Sequence, residues 1–389
     1  MRALRASSST APRILTNARL VLASEVLRGT IVLHDGEIAA IDPGVSRVPE
    51  AIDLAGDLVI AGLIDLHTDN LERHYQPRSG VEWDPVSAAI SHDIQIAGSG
   101  ITTVYDSLTL GAASGWDMRA ETIDPIVSGL RTAIGHDMLR VEHLLHMRCE
   151  VTHPEIVPLF ESHAGDPLVC FMSLMDHAPG DRQSPDIAEY RARYLKTFNG
   201  DEAAVDRHIA ELIHGSRTYG PDNRRRLAAV AREHGMGFAS HDDARREHIE
   251  EACEIGATVT EFPTTVEAAQ AARDAGIKVL MGSPNLIRGR SHSGNVAATI
   301  LAAGNQLDIL SSDYIPASLL QAAFKLADDE FGWSLPRALA TVTSAPAAAG
   351  GLADRGRLEE GLRADLVRVQ MIRNRPIVRT VWCAGARVI

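Results

Sequence analysis

The sequence predicts an α/β protein in which a (β/α)8 TIM-like barrel carries a small β-sandwich domain built from both termini. Two observations support this fold. Eight short apolar runs alternate with amphipathic helical segments between residues 59 and 313, a pattern typical of a parallel sheet closed into a barrel. Strand-like alternation without intervening helices occupies both ends of the chain, so we expect the two ends to pair in one domain.

The apolar runs also set the expected domain boundaries. The β-sandwich domain is predicted over residues 1–60 and 356–389, and the barrel over residues 61–355. The polar, helical segment 178–221 is long for a strand-to-helix connection and predicts an insertion near the active-site mouth. The eight runs are VIAGLID, ITTVYD, MLRVEHLLHM, LVCFMSLM, MGFASHD, ATVTEF, IKVLMG and LDILSSD.

Two helices between the runs have clear end signals. Asp222 and Asn223 precede RRRLAAVAREH, and Gly235 follows it. Thr265 precedes VEAAQAARDA, and Gly276 follows. A polar residue at the N-cap and a glycine just past the last turn are typical of helix ends, so we expect each helix to begin after its polar residue.

Charge, hydropathy and cysteine content exclude several classes of protein. The formal net charge of −13 disfavours nucleic acid or an anionic membrane as the main partner, and no run approaches the roughly 18 to 20 apolar residues of a membrane span. The four cysteines are scattered without a CxxC pair, which favours a reducing, cytoplasmic setting over a disulfide framework or a thiolate zinc site. The oligomeric state stays open, and a homodimer is compatible with the sequence.

Acidic and imidazole side chains follow several runs at their carboxyl ends, where barrels of this kind place reacting groups. His67 and Asp69 are two residues apart on a strand and therefore face the same side. Most positions alone are explained about equally well by a buried or capping side chain, and Glu150 alone is explained better by an exposed loop, but five such strand ends together predict a metal centre. The candidate ligands are His67, Asp69, Glu150, His241, Glu261 and Asp313.

The predicted ligands are all nitrogen and oxygen donors, so zinc, manganese or ferrous iron is expected, with zinc preferred and one or two ions bound. Such an ion lowers the pKa of bound water to about 7. Asp313 is the candidate catalytic residue that moves the resulting proton. Asp242 or Asp243 is expected to hold the other ring nitrogen of His241 or to cap the following helix.

Cationic, hydroxyl and imidazole groups cluster in the segments that follow strands one, three, four and seven. The segment GSPNLIRGRSHSGN after strand seven suits anionic oxygens bound by guanidinium and backbone N–H groups, although a flexible polar loop explains it equally well. The basic run Arg224–Arg226 is interpreted as solvated surface. The candidate substrate-binding residues are Arg73, His74, Arg148, His177, Arg182, Asn285, Arg288, Ser291 and His292.

These motifs resemble the amidohydrolase superfamily. AGLIDLHTD resembles its strand-one signature, and TVTSAPAAAGGLADRGRLEEGLRADLV resembles its closing segment. GLIDLHTDNLERH, HMRCE, SLMDHAPGDRQ, SHDDA, TEFPTT, MGSPNLIRG, SHSGN and SSDYIP together resemble one subgroup, the hydrolases of the carbon–phosphorus lyase pathway.

The resemblance implies a divalent metal centre and an anionic phosphorylated ribose as substrate. The implied reaction hydrolyses alpha-D-ribose 1-methylphosphonate 5-triphosphate to the 5-phosphate plus pyrophosphate in phosphonate catabolism. By position, Asp69 replaces the second histidine of the usual pair, and Glu261 stands where a strand-six histidine normally binds metal. The residues that fall where the superfamily places its ligands are His67, Asp69, Glu150, His241 and Asp313.

Two other readings use the same sequence. A C–N bond amidohydrolase or deacetylase of this superfamily shares the barrel and the metal, so the fold alone does not separate it from a diphosphatase. A non-catalytic relative should have lost several ligands, whereas the strand-end positions here are filled.

Overall fold

The computed structural model describes residues 11–111, 120–291 and 293–389. Within these ranges no helix combines the length and apolar character needed to cross a bilayer. The chain divides into two compact units. The first comprises Met1–Asp106, Gly129–Leu144 and Ile309–Ile389, and the second comprises Ser107–Ser128 and Leu145–Asp308.

The described residues form strands and helices in the alternation that the apolar runs predict. The strands are β1 (Arg13–Val21), β2 (Val26–His34), β3 (Glu37–Pro43), β4 (Ile52–Asp53), β5 (Leu58–Ala61), β6 (Leu63–Thr68), β7 (Ile101–Leu110), β8 (Glu142–Glu150), β9 (Val169–Met175), β10 (Gly237–His241), β11 (Val259–Glu261), β12 (Lys278–Gly282), β13 (Ile309–Ser311), β14 (Leu366–Ile372), β15 (Arg375–Cys383) and β16 (Ala386–Arg387). The helices are α1 (Asn70–Tyr75), α2 (Pro85–Gly98), α3 (Ala120–Gly135), α4 (Ile156–Ala164), α5 (Ile187–Thr197), α6 (Glu202–Thr218), α7 (Gly220–Glu233), α8 (Arg246–Ile255), α9 (Val266–Asp274), α10 (Ser283–Arg288), α11 (Ala298–Ala303), α12 (Ser318–Leu326), α13 (Leu335–Ala340) and α14 (Ser344–Ala349).

Eight strands, β6 to β13, form one sheet in which the spatial order follows the chain order. The first and last strands meet, because Asp313 N donates to His67 O at 3.0 Å and Asp69 N donates to Asp313 O at 2.9 Å. The sheet is therefore a nearly closed parallel barrel, and all eight apolar runs are confirmed as containing its strands.

The strands near both termini form a second sheet in the order β16-β15-β14-β5-β1-β2-β3, with β4 on β1. Antiparallel pairing of β14 with β5 joins the two ends of the chain. Asp35 and Gly36 have φ values of 49° and 83° and form the tight turn between β2 and β3. The inner face buries an apolar cluster that includes Leu15, Leu20, Ile31, Ile38, Val59, Leu366 and Trp382. The exact domain boundaries stay a prediction.

The run VIAGLID divides at Gly62 instead of forming one strand. β5 before Gly62 belongs to the terminal sheet, and β6 after it begins the barrel. A Cβ at Gly62 would lie 2.1 Å from Thr102 Oγ1, so only glycine fits where the chain passes from one sheet to the other.

The two predicted helix starts have different outcomes. Thr265 caps α9 by accepting from Ala268 N at 3.1 Å, as predicted. The start predicted after Asp222 and Asn223 is wrong, because α7 already begins at Gly220 with Pro221 in its first turn. Proline is well tolerated at that position.

Segment 178–221 forms α5, α6 and the turn into α7. Tyr190 stacks on Tyr194 with ring centroids 4.3 Å apart. A small apolar cluster of its own holds the two helices together, comprising Ala178, Tyr190, Val205, Ile209 and Leu212.

A buried polar network lies in the first unit between α2, β7 and β8. Asp106 bonds His92 Nε2 at 2.6 Å and His143 Nδ1 at 2.7 Å. His143 also lies 3.5 Å from Asp93, which pairs with Arg140 at 3.0 Å. Since Asp106 and His92 are wholly excluded from solvent, charge within this network must be balanced internally.

Candidate metal centre

The end of β6 positions the first group of predicted ligands, in the first unit. His67 Nε2 and Asp69 Oδ1 are 3.5 Å apart, and His67 is buried. Asp65 precedes them and accepts a hydrogen bond from Ser312 N at 3.0 Å. Burial raises the pKa of Asp65 to about 6, although hydrogen bonds from Ser312 and His67 act in the opposite direction.

Asp313 lies two residues after Ser311, the last residue of β13, and is half-buried. Its φ of 56° lies in the left-handed region, which aspartate tolerates better than most residues. Thr68 Oγ1 donates to Asp313 O at 3.0 Å, in addition to the two backbone hydrogen bonds that close the barrel. The main chain of Asp313 is thus fixed against the end of β6.

The second unit gathers another group at the ends of β9 and β10. Asp242 Oδ2 lies 3.6 Å from His241 Nε2 and 3.8 Å from His177 Nε2. The ligand atoms of these three residues all lie within 4.8 Å of one another. His177, which the sequence predicts as substrate-binding, is therefore close enough to His241 to bind the same cation.

Glutamates hold both of these histidines by their other ring nitrogen. His177 Nδ1 bonds Glu150 Oε2 at 2.8 Å, and His241 Nδ1 bonds Glu261 Oε2 at 3.0 Å. A carboxylate on one imidazole nitrogen fixes the tautomer that presents the other nitrogen to a metal. The nitrogen and oxygen donors here fit a divalent ion of the zinc, manganese or iron type.

Asp242 and Asp243 do not take the roles expected of them. Glu261, not either aspartate, holds the second nitrogen of His241, and α8 begins after Arg245 without a side-chain cap. Asp243 instead accepts hydrogen bonds from Ser240 Oγ and Thr260 Oγ1, which tie it to β10 and β11.

Arg182 is buried, and its guanidinium is paired. It donates to Asp243 Oδ1 at 2.5 Å, to His241 O at 3.3 Å and to Glu251 Oε2 at 3.2 Å. These contacts occupy the side chain that the sequence predicts as substrate-binding, and they fix the main chain of a candidate ligand.

Arg224 is not part of a solvated surface, as the sequence interpretation had it. It is buried, and it donates to Asp176 Oδ2 at 2.6 Å. Ser216 of α6 donates to the same carboxylate oxygen at 2.7 Å. The residue that follows β9 thereby anchors the inserted helices. Arg225 and Arg226 are exposed, as expected.

The predicted substrate-binding residues near α1 lie in the first unit. Arg73 is exposed, with its guanidinium 5.5 Å from the ring centroid of Tyr314. His74 Nε2 is 3.0 Å from Gln95 Oε1.

The predicted residues after β12 are divided between structural and exposed positions. Asn285 donates to Val296 O at 3.3 Å and accepts from Ala298 N at 3.0 Å, so its amide closes the loop. Ser291 Oγ lies 3.0 Å from Ser293 Oγ. Arg288 is exposed, and His292 lies outside the described residues. Arg148, on β8 in the same unit, is half-buried.

Sequence reasoning missed that Asp242 and His177 lie together with His241 in one group that could hold a metal ion. Each lies within two residues of the end of a barrel strand. The other candidate ligands were predicted from the same position. The sequence predicts His177 as substrate-binding because it lies in the polar segment after strand four; its contact with Glu150, 27 residues away, leaves no local pattern.

The chain is similar in sequence to known proteins. A family model described as amidohydrolase family matches residues 263–388. Alpha-D-ribose 1-methylphosphonate 5-triphosphate diphosphatase of Escherichia coli (strain K12) is 43% identical over 376 residues, which cover 96% of this chain and 100% of that protein.

Solved structures agree on the architecture. N-acetyl-D-glucosamine-6-phosphate deacetylase from Mycobacterium smegmatis matches with a TM-score of 0.65 and 17% identity over 97% of this chain and 100% of the other. Dihydropyrimidinase from Brevibacillus agri matches with a TM-score of 0.64 and 12% identity over 97% and 95% of the two chains. At these identities the likeness establishes the fold alone.

The full-length identity to the Escherichia coli protein establishes more than the fold. The chain is a hydrolase of the amidohydrolase superfamily, whose members depend on metal. Within that superfamily it belongs to the family of the alpha-D-ribose 1-methylphosphonate 5-triphosphate diphosphatases.

Proposed function

We propose that this protein hydrolyses alpha-D-ribose 1-methylphosphonate 5-triphosphate to the 5-phosphate and pyrophosphate in phosphonate catabolism. The observation that supports this most strongly is the 43% identity over 96% of the chain to the diphosphatase of Escherichia coli. In this reaction water oxygen forms a bond to the α-phosphorus while the bond from that phosphorus to the α,β-bridging oxygen breaks. Pyrophosphate leaves with the electron pair.

A divalent metal, for which we propose zinc, stabilises the charge that develops on the phosphoryl oxygens when it is bound. Imidazole donors favour zinc over magnesium or calcium, and zinc also accepts carboxylate oxygens. His67, Asp69 and Asp313 remain predicted ligands because they lie at the carboxyl ends of β6 and β13, where barrels of this type hold their reacting groups.

The chain's own side chains supply proton transfer and anion binding in this proposal. Asp313 accepts the proton of the attacking water, and its fixed main chain supports that role. Arg73, Arg148 and Arg288 are proposed to bind the phosphate oxygens. We also propose a cytoplasmic location, which is supported by the lack of a disulfide among the four cysteines, all of them in the described part of the chain. Assembly as a homodimer stays a prediction.

The reaction is tested with purified protein and the triphosphate substrate in ¹⁸O-labelled water. We expect pyrophosphate as the phosphorus product, with the label in the ribose 5-phosphate, because attack takes place at the α-phosphorus. Label in pyrophosphate would place the attack at the β-phosphorus. Turnover of N-acyl substrates with no pyrophosphate release would replace the proposal with a C–N hydrolase.

The role of Asp313 is tested by Asp313→Asn. Asparagine keeps the left-handed backbone but removes the base, so we expect kcat to fall by roughly 10²- to 10⁴-fold. Asp137→Asn is a matched control, because Asp137 is exposed and has a φ of 57°. Near-normal turnover by the Asp313 variant would remove this residue from the chemistry.

A further inference from the structure

We infer that His177, His241 and Asp242 are the ligands of one metal ion in this protein. Glu150, which the sequence predicts as a ligand, orients His177 instead of binding the ion. The inference rests on the proposed function only in requiring a divalent metal, and it names side chains that the strand-end pattern assigns to other roles.

The spacing of the three ligand atoms fits a cation between them. A zinc ion with bonds of about 2.0 to 2.2 Å holds tetrahedral ligand atoms about 3.4 Å from one another. The observed separations from Asp242 Oδ2 are 3.6 Å to His241 Nε2 and 3.8 Å to His177 Nε2. These distances exceed ordinary hydrogen bonds, and small side-chain shifts bring all three atoms to bonding distance of one ion.

The surroundings of the Asp242 carboxylate are a second observation that supports a cation at this position. Its side chain is only 4% exposed, and Oδ2 has no hydrogen-bond partner among the described residues. A buried carboxylate oxygen without a partner is costly, and a cation beside it removes that cost. The backbone at Asp242 is left-handed, with a φ of 54°, and its N–H donates to Glu261 O at 2.9 Å, so the turn that presents this carboxylate is held in place.

Both carboxylate oxygens of Glu150 accept hydrogen bonds from the protein. Oε2 bonds His177 Nδ1 at 2.8 Å, while Oε1 accepts from Thr152 Oγ1 at 3.0 Å and from His177 N at 3.3 Å. This arrangement fixes the ring so that Nε2 faces Asp242, and it is the carboxylate–histidine–metal pattern in which the carboxylate does not touch the ion. Glu261 Oε2 holds the ring of His241 in the same way, through its Nδ1 atom.

The assignment of His177 as a ligand can be tested without substrate, by an absorption band that appears when cobalt(II) binds to an introduced cysteine. Cobalt(II) is titrated into metal-free His177→Cys, Glu150→Cys and the exposed control His214→Cys, with the wild-type spectrum subtracted to remove any contribution from the native cysteines. A thiolate that binds cobalt produces an intense near-ultraviolet charge-transfer band. We expect that band in His177→Cys alone. Its absence there in folded protein, or its presence in Glu150→Cys, would overturn the assignment.

Loss of affinity gives a second measurement that does not depend on the cysteine variants. Chelator competition on His177→Gln and Asp242→Asn should show zinc binding weakened by more than about 100-fold. Glu150→Gln should fall in the 10- to 100-fold range of a residue that supports a ligand, and His214→Gln should match wild type. Wild-type affinity in His177→Gln would refute its role as a ligand.

The two proposals fail separately. If the protein binds metal as described but releases no pyrophosphate, the ligand set stands and the diphosphatase assignment fails. If pyrophosphate forms but the His177→Gln and Asp242→Asn variants bind zinc as tightly as wild type, the ion lies elsewhere and the proposed function stands.

Discussion

Asp243 shows how one buried carboxylate can fix the main chain on both sides of its neighbour Asp242. Its carboxylate accepts from Ser240, Thr260 and Arg182, and Arg182 also donates to the carbonyl of His241. The residues that precede and follow the left-handed Asp242 are thus both fixed. We regard Arg182 as a positioning residue, since its guanidinium is buried and paired with two carboxylates.

Arg182→Met should lower the free energy of unfolding by about 3 to 5 kcal/mol, because it leaves the buried carboxylate of Asp243 without its cation. Arg191→Met is the matched control: Arg191 pairs with Glu202 and Asp206 on the exposed face of the insertion, and we expect a change within about 1 kcal/mol. Urea unfolding measures both. A variant that keeps wild-type stability and metal content but has a raised KM would instead make Arg182 a substrate-binding residue.

Among the elements, strands were easier to predict than the points where they change partners. Parallel strands buried on both faces are continuous apolar runs, and all eight were identifiable. The prediction of a single strand over VIAGLID was wrong, because a continuous apolar run does not reveal that β5 and β6 belong to different sheets. Likewise, the start of α7 was misplaced because Asn223 resembles a cap, whereas it donates to the carbonyls of Val151 and His153. Long-range partners of this kind leave no local pattern.

Gly62→Ala should destabilise the protein by roughly 1 to 3 kcal/mol, since the new methyl group overlaps Thr102 in a packed core. Gly135→Ala is the control at the last residue of α3, where a Cβ meets no atom within 4 Å, and it should be neutral or stabilising by up to about 1 kcal/mol. Thermal unfolding of the two variants distinguishes them. Equal melting temperatures would show that the junction between the two sheets accommodates a side chain.

For the molecule as a whole, the buried His92–Asp106–His143 network couples stability to pH. Burial disfavours charge on His143, but Asp106 and Asp93 outweigh it and raise the pKa of His143 to about 9. Burial raises the pKa of Asp106, and the two histidines outweigh it and lower that pKa to about 2. Burial lowers the pKa of His92. Near neutral pH the network therefore holds two buried carboxylates, Asp93 and Asp106, against the imidazolium of His143 and the guanidinium of Arg140.

His143 has a folded pKa above its unfolded value of about 6.5, so its stabilisation is fully present below that pH and is lost as pH rises through about 9. The difference in unfolding free energy between wild type and His143→Gln should shrink by roughly 3 kcal/mol at most between pH 6 and pH 9.5. Denaturant titrations across this range measure it. His136→Gln, at an exposed site, should give a flat difference, and a flat difference for His143→Gln would contradict the charged assignment.

The pairing of β5 with β14 has a consequence for synthesis on the ribosome. Arg368 of β14 donates to Asp57 across 311 residues of sequence, so β5 emerges long before its neighbour exists. At translation rates of about 5 to 20 residues per second, its unpaired edge waits roughly 15 to 60 seconds. Exposed strand edges pair with other strands. We therefore expect chaperone binding or aggregation while only the N-terminal part of the chain has been synthesised.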